Sequence, residues 1–92
     1  MKLYLYSVLD SMAESYATPF LVMNDGLAKR SFRALCGDPL SMVAKSPADF
    51  HLYKVGVFDT DNGIIEPIVP MSIYNGVDAM RALSGDQAYT PY

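Results

Sequence analysis

Apolar and polar positions alternate with a period of two near the start of the chain, at residues 3–9. This period is typical of a β-strand, whose side chains point alternately to the two faces of a sheet. The two sets of positions are Leu3, Leu5, Ser7 and Leu9, and Tyr4, Tyr6 and Val8. The chain is therefore predicted to begin with a strand that has a leucine face and a tyrosine face.

A period of about 3.6 residues replaces this alternation after residue 24 and predicts an amphipathic helix. Asn24 or Asp25 can cap its N-terminus, Gly37 can follow its last turn, and Pro39 prevents its continuation. Its apolar face is expected to contain Leu27, Ala28, Ser31, Phe32 and Leu35, and its opposite face Lys29, Arg30 and Arg33. This segment is the clearest helix in the sequence.

Shorter apolar runs complete the pattern. Further strands are predicted at residues 19–23, 50–58 and 64–69, and a second, weaker helix is predicted at residues 77–83. The run Asp59-Thr60-Asp61-Asn62-Gly63 predicts a hairpin turn, because Asn-Gly accepts the positive φ angles that such turns require. Loops are expected elsewhere, at residues 10–18 and 38–48, with single helical turns near residues 12–16 and 46–49.

Together these elements predict an α+β fold: a small antiparallel sheet of about four strands, one main helix and a weaker C-terminal helix. A length of 92 residues fits one domain. That domain is assigned to residues 1–85, and the polar residues 86–92 are expected to form a flexible C-terminal tail. One helix covers one face of such a sheet, so the second face is expected to be partly wet or buried against another copy.

The composition bears on the cellular compartment. One cysteine and six methionines fit a reducing environment. The first apolar stretch ends at Asp10, is rich in tyrosine and precedes no small-residue cleavage site, so a signal peptide is not expected. No window reaches the roughly 18 apolar residues of a membrane helix. A soluble protein without a membrane partner, which stays where it is made, is therefore expected.

Residues suited to catalysis or metal binding are few. Cys36 and His51 are the two soft ligands, whereas a structural zinc needs about four ligands. Cys36 is expected at a helix C-terminus, where the helix dipole raises the pKa of a thiol. A calcium loop starting at Asp59 would need glycine sixth and glutamate twelfth, but Gly63 is fifth and Pro70 is twelfth. No catalytic residue, metal site or cofactor is predicted, and the protein is not expected to be an enzyme.

A local basic surface is predicted in an otherwise acidic chain. The net charge is −3 and the pI is about 4.7, which argues against coating nucleic acid through bulk charge. Cations that hold phosphates and aromatic rings that stack on unpaired bases are nevertheless the usual features of a single-strand binding surface. The candidate residues are Lys29, Arg30 and Arg33 on the helix and Tyr4 and Tyr6 on the first strand. The alternative is that the cations solvate the helix and the tyrosines pack one side of the sheet.

Short stretches over about residues 1–68 match a known phage family in order and spacing. They are Met1-Lys2-Leu3-Tyr4, Tyr6-Ser7, Asp10, Tyr16, Pro19-Phe20, Asn24-Asp25-Gly26, Ala28, Arg30, Phe32, Asp38-Pro39, Pro47, Asp49-Phe50, Leu52-Tyr53, Gly56, Phe58-Asp59 and Gly63. On these stretches the chain resembles the small nonstructural protein of the gokushoviruses, single-stranded DNA bacteriophages of the microvirus family. Residues from Pro70 onward match much more loosely.

The resemblance implies a phage protein made in the cytoplasm of the bacterial host and absent from the mature virion. It also implies a part in genome replication or in the production and packaging of single-stranded DNA. Arg30 and Phe32 gain functional weight because they match recurring positions. The leading hypothesis is a nonstructural accessory protein that binds single-stranded DNA. The alternative is a protein–protein adaptor that acts on the replication initiator or the procapsid without contacting DNA.

A homodimer is also expected. A small antiparallel sheet has exposed edges, and a second copy would cover them and double the basic surface. The contact is predicted to include Tyr4, Tyr6 or Tyr53, because a tyrosine ring can pack while its hydroxyl stays hydrogen-bonded.

Overall fold

The computed structural model describes residues 1–84, and the tail predicted at residues 86–92 lies outside the described residues. Five strands and three helices follow one another within them. Their bounds are β1 Lys2–Asp10, β2 Ser15–Tyr16, β3 Phe20–Val22, α1 Asp25–Gly37, α2 Met42–Lys45, β4 Phe50–Asp59, β5 Ile65–Asn75 and α3 Gly76–Leu83. The predicted α+β fold, with a main helix and a C-terminal helix on an antiparallel sheet, is confirmed. No helix in the described part of the chain is long and apolar enough to cross a membrane.

All five strands form one antiparallel sheet. β1 pairs with β4 on one side and with both short strands, β2 and β3, on the other. β5 pairs with β4 and forms the opposite edge. The β4–β5 hairpin turns at Gly63, whose φ of 74° is the positive angle expected from the Asn-Gly sequence.

A β-bulge in β4 changes which of its residues share a face. Leu5 pairs with Gly56 and Tyr6 pairs with Lys54, so Val55 is an extra residue between two pairs. The strict alternation of a regular strand is therefore interrupted at the bulge. Tyr53 and Gly56 lie on one face of the sheet, and Lys54 and Val57 lie on the other.

The core lies between α1 and the tyrosine face of β1. Tyr6, Phe32 and Leu52 are essentially unexposed and come from β1, α1 and β4. The whole buried apolar cluster contains Tyr6, Val8, Ala28, Phe32, Cys36, Val43, Phe50, Leu52 and Ala79. A tyrosine thus occupies the centre of the core. From the sequence alone, either the leucine face or the tyrosine face of β1 could have been the buried one.

The buried stripe of α1 is narrower than the predicted apolar face. Ala28, Phe32 and Cys36 are buried at a strict spacing of four residues. Leu27 and Leu35, which were predicted on the apolar face, are 39% and 41% exposed. The helix contacts the sheet along one line of side chains, and its flanking leucines lie at the margin.

Two segments predicted as loops contain additional structure. After β1, the Asp10 carboxylate accepts hydrogen bonds from the backbone N–H groups of Met12 and Ala13, and the turn they form leads into β2. In the connection after α1, Ser41 accepts from the N–H of Val43 and caps α2. The turn predicted near residues 46–49 is confirmed as a 3₁₀ turn at Pro47–Asp49.

β5 is longer than predicted and runs directly into α3. The predicted strand ended at residue 69, but pairing with β4 continues to Asn75. Pro67 and Pro70 lie within it, which is tolerated because β5 is an edge strand in the described sheet and a missing N–H there breaks no ladder. The Asn75 side chain then accepts from the N–H of Asp78 and caps α3.

The leucine face of the sheet carries no helix within residues 1–84, since the three helices contact one another on the tyrosine side. Beside β2, Ser7 on the leucine face is buried and donates a hydrogen bond to the carbonyl of Ala17 at 2.7 Å. The half of this face nearer the β4–β5 turn is apolar and is called the open face below; the other half also carries His51, Ser72 and Asn75. The residues of the open face are Leu3, Leu5, Leu21, Phe58, Ile65 and Pro67.

Candidate nucleic-acid interface

The predicted cations lie on α1, and a side-chain hydrogen bond caps the N-terminus of this helix. The Asn24 side chain accepts a hydrogen bond from the N–H of Leu27 at 2.9 Å and caps the helix. Ala28 of this helix is buried against the sheet. Arg30 is exposed, whereas Lys29 and Arg33 are half-buried. The last two therefore lie along the flank of the helix and not at its outermost ridge.

Tyr74, near the end of β5, lies beside this flank. The Lys29 Nζ is 5.7 Å from the centre of the Tyr74 ring, and the Arg33 Cζ is 5.9 Å from it. Both distances are within the ~6 Å at which a cation is attracted to an aromatic ring. Phe32 packs against the same ring from the core, with ring centres 5.8 Å apart. We call the set Lys29, Arg30, Arg33 and Tyr74 the basic flank.

An open concavity of about 730 Å³ adjoins the basic flank between α1 and α3. Arg30 and Arg33 line it together with Ala34, Gly37 and Leu83. Guanidinium groups can donate paired hydrogen bonds to a phosphate, and the small and apolar residues leave room for a sugar or a base beside it. The structure thus brings two predicted cations together at a recess that could hold an extended polyanion.

Tyr6 does not belong to this surface. Its side chain is unexposed, and its hydroxyl donates a hydrogen bond of 2.6 Å to Asp25 Oδ1. Its ring also packs against Phe20, with centres 5.8 Å apart. A base cannot reach this ring in the folded protein, so the prediction that Tyr6 stacks on DNA was wrong.

Tyr4 is half-buried and already contacts a cation. The Lys54 Nζ is 4.1 Å from the centre of the Tyr4 ring and 3.0 Å from Asp25 Oδ1. Tyr4 pairs across the sheet with Val57, whereas Tyr74 pairs with β4 five residues away, at Leu52. The structure therefore associates Tyr4 with Lys54 and not with the cations of α1.

Asp25 links β1, β4 and the first turn of α1. The Tyr6 hydroxyl lowers the pKa of the Asp25 carboxyl by hydrogen bonding to it, and the Lys54 ammonium lowers it further. Burial raises the pKa of the Tyr6 hydroxyl, and the adjacent carboxylate raises it again. Near neutral pH, Asp25 is ionised and Tyr6 keeps its proton. The Asp25 carboxylate is paired with Tyr6 and Lys54. Its negative charge therefore weakens the positive potential of the basic flank less than an unpaired carboxylate would.

The two soft ligands of the chain lie apart. Cys36 is buried in the last turn of α1, where burial raises the pKa of its thiol. His51 pairs with Leu9 on the other face of the sheet. Within residues 1–84, no three His, Cys, Asp or Glu side chains are grouped as a metal site would require.

Tyr74 is the aromatic member of this region that the sequence analysis missed. It falls between the strand predicted at residues 64–69 and the helix predicted at residues 77–83, because two prolines obscured the rest of the strand. The capping pair Asn75 and Asp78 was a usable signal, since it places the start of α3 directly after Tyr74.

Comparison with known proteins identifies one family. A family model described as Phage ORF5 protein matches residues 3–79, which include the whole basic flank and most of the sheet. No curated protein and no solved structure matches the chain. Because the match covers most of the sequence, the chain belongs to the Phage ORF5 protein family and is a bacteriophage protein.

Proposed function

We propose that this phage protein is a nonstructural accessory protein that binds single-stranded DNA during replication or packaging of a viral genome of the gokushovirus type. It acts in the cytoplasm of the bacterial host and is absent from the mature virion. It works by binding, and its side chains supply contacts instead of a catalytic step.

The observation that carries this proposal is the basic flank. Two cations of α1, Lys29 and Arg33, lie 5.7 and 5.9 Å from the centre of the half-buried Tyr74 ring. Proteins that hold single strands combine cations that follow the phosphates with aromatic rings or guanidinium planes on which bases stack. Arg30 and Arg33 extend the surface into the concavity beside α3.

A single strand suits this surface better than a duplex. In a duplex the bases are stacked on one another, so Tyr74 and Arg33 would find only phosphates to contact. With three cations per copy, binding to a single strand should have a salt slope of roughly −2, since each neutralised phosphate contributes about −0.7. The acidic net charge is consistent with a shallow slope of this kind.

The test is fluorescence anisotropy with labelled single-stranded and double-stranded oligonucleotides of equal length at two salt concentrations. Arg30→Ala combined with Arg33→Ala should weaken single-strand binding by roughly an order of magnitude and reduce the slope to about −0.7. The double variant should stay folded, because neither side chain is part of the buried cluster.

Lys2→Ala combined with Lys45→Ala is the matched control, because it removes the same number of charges from exposed positions outside the basic flank. It should leave the affinity nearly unchanged. Equal losses in the two double variants would show that only the net charge matters. Absence of binding at low salt would refute the proposed function.

A second candidate function is a protein–protein adaptor that acts on the replication initiator or the procapsid. The uncovered apolar residues of the open face and the acidic net charge favour it. A phage replication initiator or capsid protein retained on the immobilised chain, together with no detectable DNA binding, would support the adaptor.

A further inference from the structure

We propose that the open face is a contact surface between two copies of this chain. This inference concerns the side of the sheet opposite the basic flank, so it does not depend on the proposed DNA binding. The occupant is a second identical copy, docked face to face.

The open face consists of two apolar rows that cross the sheet. One row runs from Leu21 through Leu5 and Gly56 to Pro67, and the other joins Leu3, Phe58 and Ile65. Leu21 is 45% exposed and Ile65 is 59% exposed. Leucine and isoleucine side chains arranged side by side on a sheet are what a second sheet packs against, at a spacing of about 10 Å.

Charge favours a second copy over a charged partner. Each copy carries a net charge of −3, so two copies repel unless they meet through an uncharged surface. The paired residues of the leucine face carry no Asp, Glu, Lys or Arg from β3 across β1 and β4 to β5. The charged residues that pair within the sheet all lie on the tyrosine side: Lys2, Asp10, Lys54, Asp59 and Glu66. A face-to-face contact therefore brings no like charges together.

The edges of the sheet are poorly suited to pairing with another copy. One edge is divided into two short strands, β2 and β3, by a segment that contains Pro19. The other edge is β5, which contains Pro67 and Pro70 and shifts register between them. Prolines, short strands and bulges are the features that keep sheet edges from associating. The predicted association through edges is thus disfavoured, and the broad face is the better surface.

The shape of the molecule leaves enough area for this contact. Its principal extents are 44 × 35 × 21 Å, and its radius of gyration is 14.0 Å, against roughly 12 Å for a compact chain of this length. The molecule is a slab, as expected of one helical layer on one side of a sheet. A standard interface buries about 800 Å² per partner, about half of a 44 × 35 Å outline, so the contact would extend from the open face over Tyr53 and Ser72 on the adjoining part of the leucine face.

Light scattering coupled to size exclusion, at loading concentrations from about 5 to 500 µM, tests the inference over the affinity range of ordinary dimers. The wild-type chain should elute with about twice its mass of 10.1 kDa at the upper end. Leu21→Glu combined with Ile65→Glu should elute as one copy, because the dimer would bury four uncompensated carboxylates. Both positions are exposed in one copy, so circular dichroism should show an unchanged fold.

Leu40→Glu combined with Met42→Glu is the matched control, since it adds the same charge at exposed apolar residues in the connection between α1 and β4, away from the open face, and should remain a dimer. The DNA-binding variant Arg30→Ala with Arg33→Ala should also remain a dimer, which separates this inference from the proposed function. A wild-type mass near 10 kDa at every concentration would overturn the inference. Dimerisation that survives the open-face variant would equally assign the contact to another surface.

Discussion

Tyr6 shows how one side chain can join three elements. Its ring fills the core under α1, and its hydroxyl reaches the Asp25 carboxylate at the start of that helix. Lys54 approaches the same carboxylate from β4. A phenylalanine would fill the same space but would leave Asp25 with Lys54 alone.

Tyr6→Phe should therefore lower the free energy of unfolding by about 1–2 kcal/mol at pH 7, toward the lower end for a hydrogen bond to a charged group because Asp25 is partly exposed. Urea unfolding monitored by circular dichroism is the measurement. Tyr4→Phe is the control, because it removes a hydroxyl from the same face of β1 without touching Asp25.

The wild-type protein and the Tyr6→Phe variant should also differ in how their stability changes at alkaline pH. The pKa of Tyr6 is raised in the folded state, so the folded chain keeps a proton that the unfolded chain releases above its ordinary pKa of about 10. The contribution of Tyr6 is complete below that pH and declines as the pH rises further. The stability difference between wild type and Tyr6→Phe should accordingly shrink between pH 9 and pH 11, as urea midpoints would show. A constant difference would mean that the hydroxyl titrates normally.

At this scale the sequence predicted which residues of β1 share a face but not which of its two faces is covered. A period of two is equally consistent with burying the tyrosines or the leucines of β1. The buried face packs against residues distant in the chain, as in the contact between Tyr6 and Asp25, 19 positions apart, and no local pattern contains such contacts. Lys29, Arg30 and Arg33 were easier to assign, because a helical period alone places them away from the buried stripe.

At the scale of elements, the junction between β5 and α3 is held by a close backbone contact. A Cβ on Gly76 would overlap the carbonyl oxygen of Pro47 and lie 2.8 Å from its Cα. Real atoms do not approach so closely, and the obstacle is backbone that cannot rotate away. Glycine at this position lets the first turn of α3 dock on the 3₁₀ turn before β4.

Gly76→Ala should destabilise the protein by about 1–3 kcal/mol or more, because the added methyl group forces α3 away from the 3₁₀ turn. Thermal unfolding followed by circular dichroism would measure it. Gly37→Ala is the matched control: its added Cβ would be 3.6 Å from Leu83 Cδ1, an ordinary contact. Alanine at the end of α1 should leave stability unchanged or raise it by up to about 1 kcal/mol. Similar melting temperatures for the two variants would contradict the prediction.

The elements themselves were largely predictable where capping and periodicity agree. The Asn24 cap and the helical spacing of the apolar residues predicted α1, and Asn62-Gly63 predicted the turn of the β4–β5 hairpin. β5 was cut short because prolines normally argue against a strand, and only its edge position in the sheet makes them acceptable. α2 was missed because a helix of four residues is too short to show a period.

At the scale of the molecule, the layers decide what each surface can do. A two-layer slab has a helical side and a sheet side, and here the cations of α1 and the apolar rows of the sheet are on opposite sides. The sequence predicted a dimer whose contact includes Tyr4, Tyr6 or Tyr53. Tyr4 and Tyr6 are on the face that α1 covers, and Tyr6 is unexposed, whereas Tyr53 is on the leucine face.

The position of the sheet between the basic flank and the open face has a consequence for any DNA complex. Two copies joined through their open faces would carry their basic flanks on opposite outer surfaces. The thickness of two molecules, 21 Å each, would separate the two flanks. Such a dimer is a cross-linker of strand segments and not a clamp on one segment. It should bind two short oligonucleotides independently. On a long single strand it should bring distant segments together, and the sedimentation coefficient of the DNA should then rise more than the added protein mass explains. The monomeric Leu21→Glu, Ile65→Glu variant should bind the same strand without compacting it.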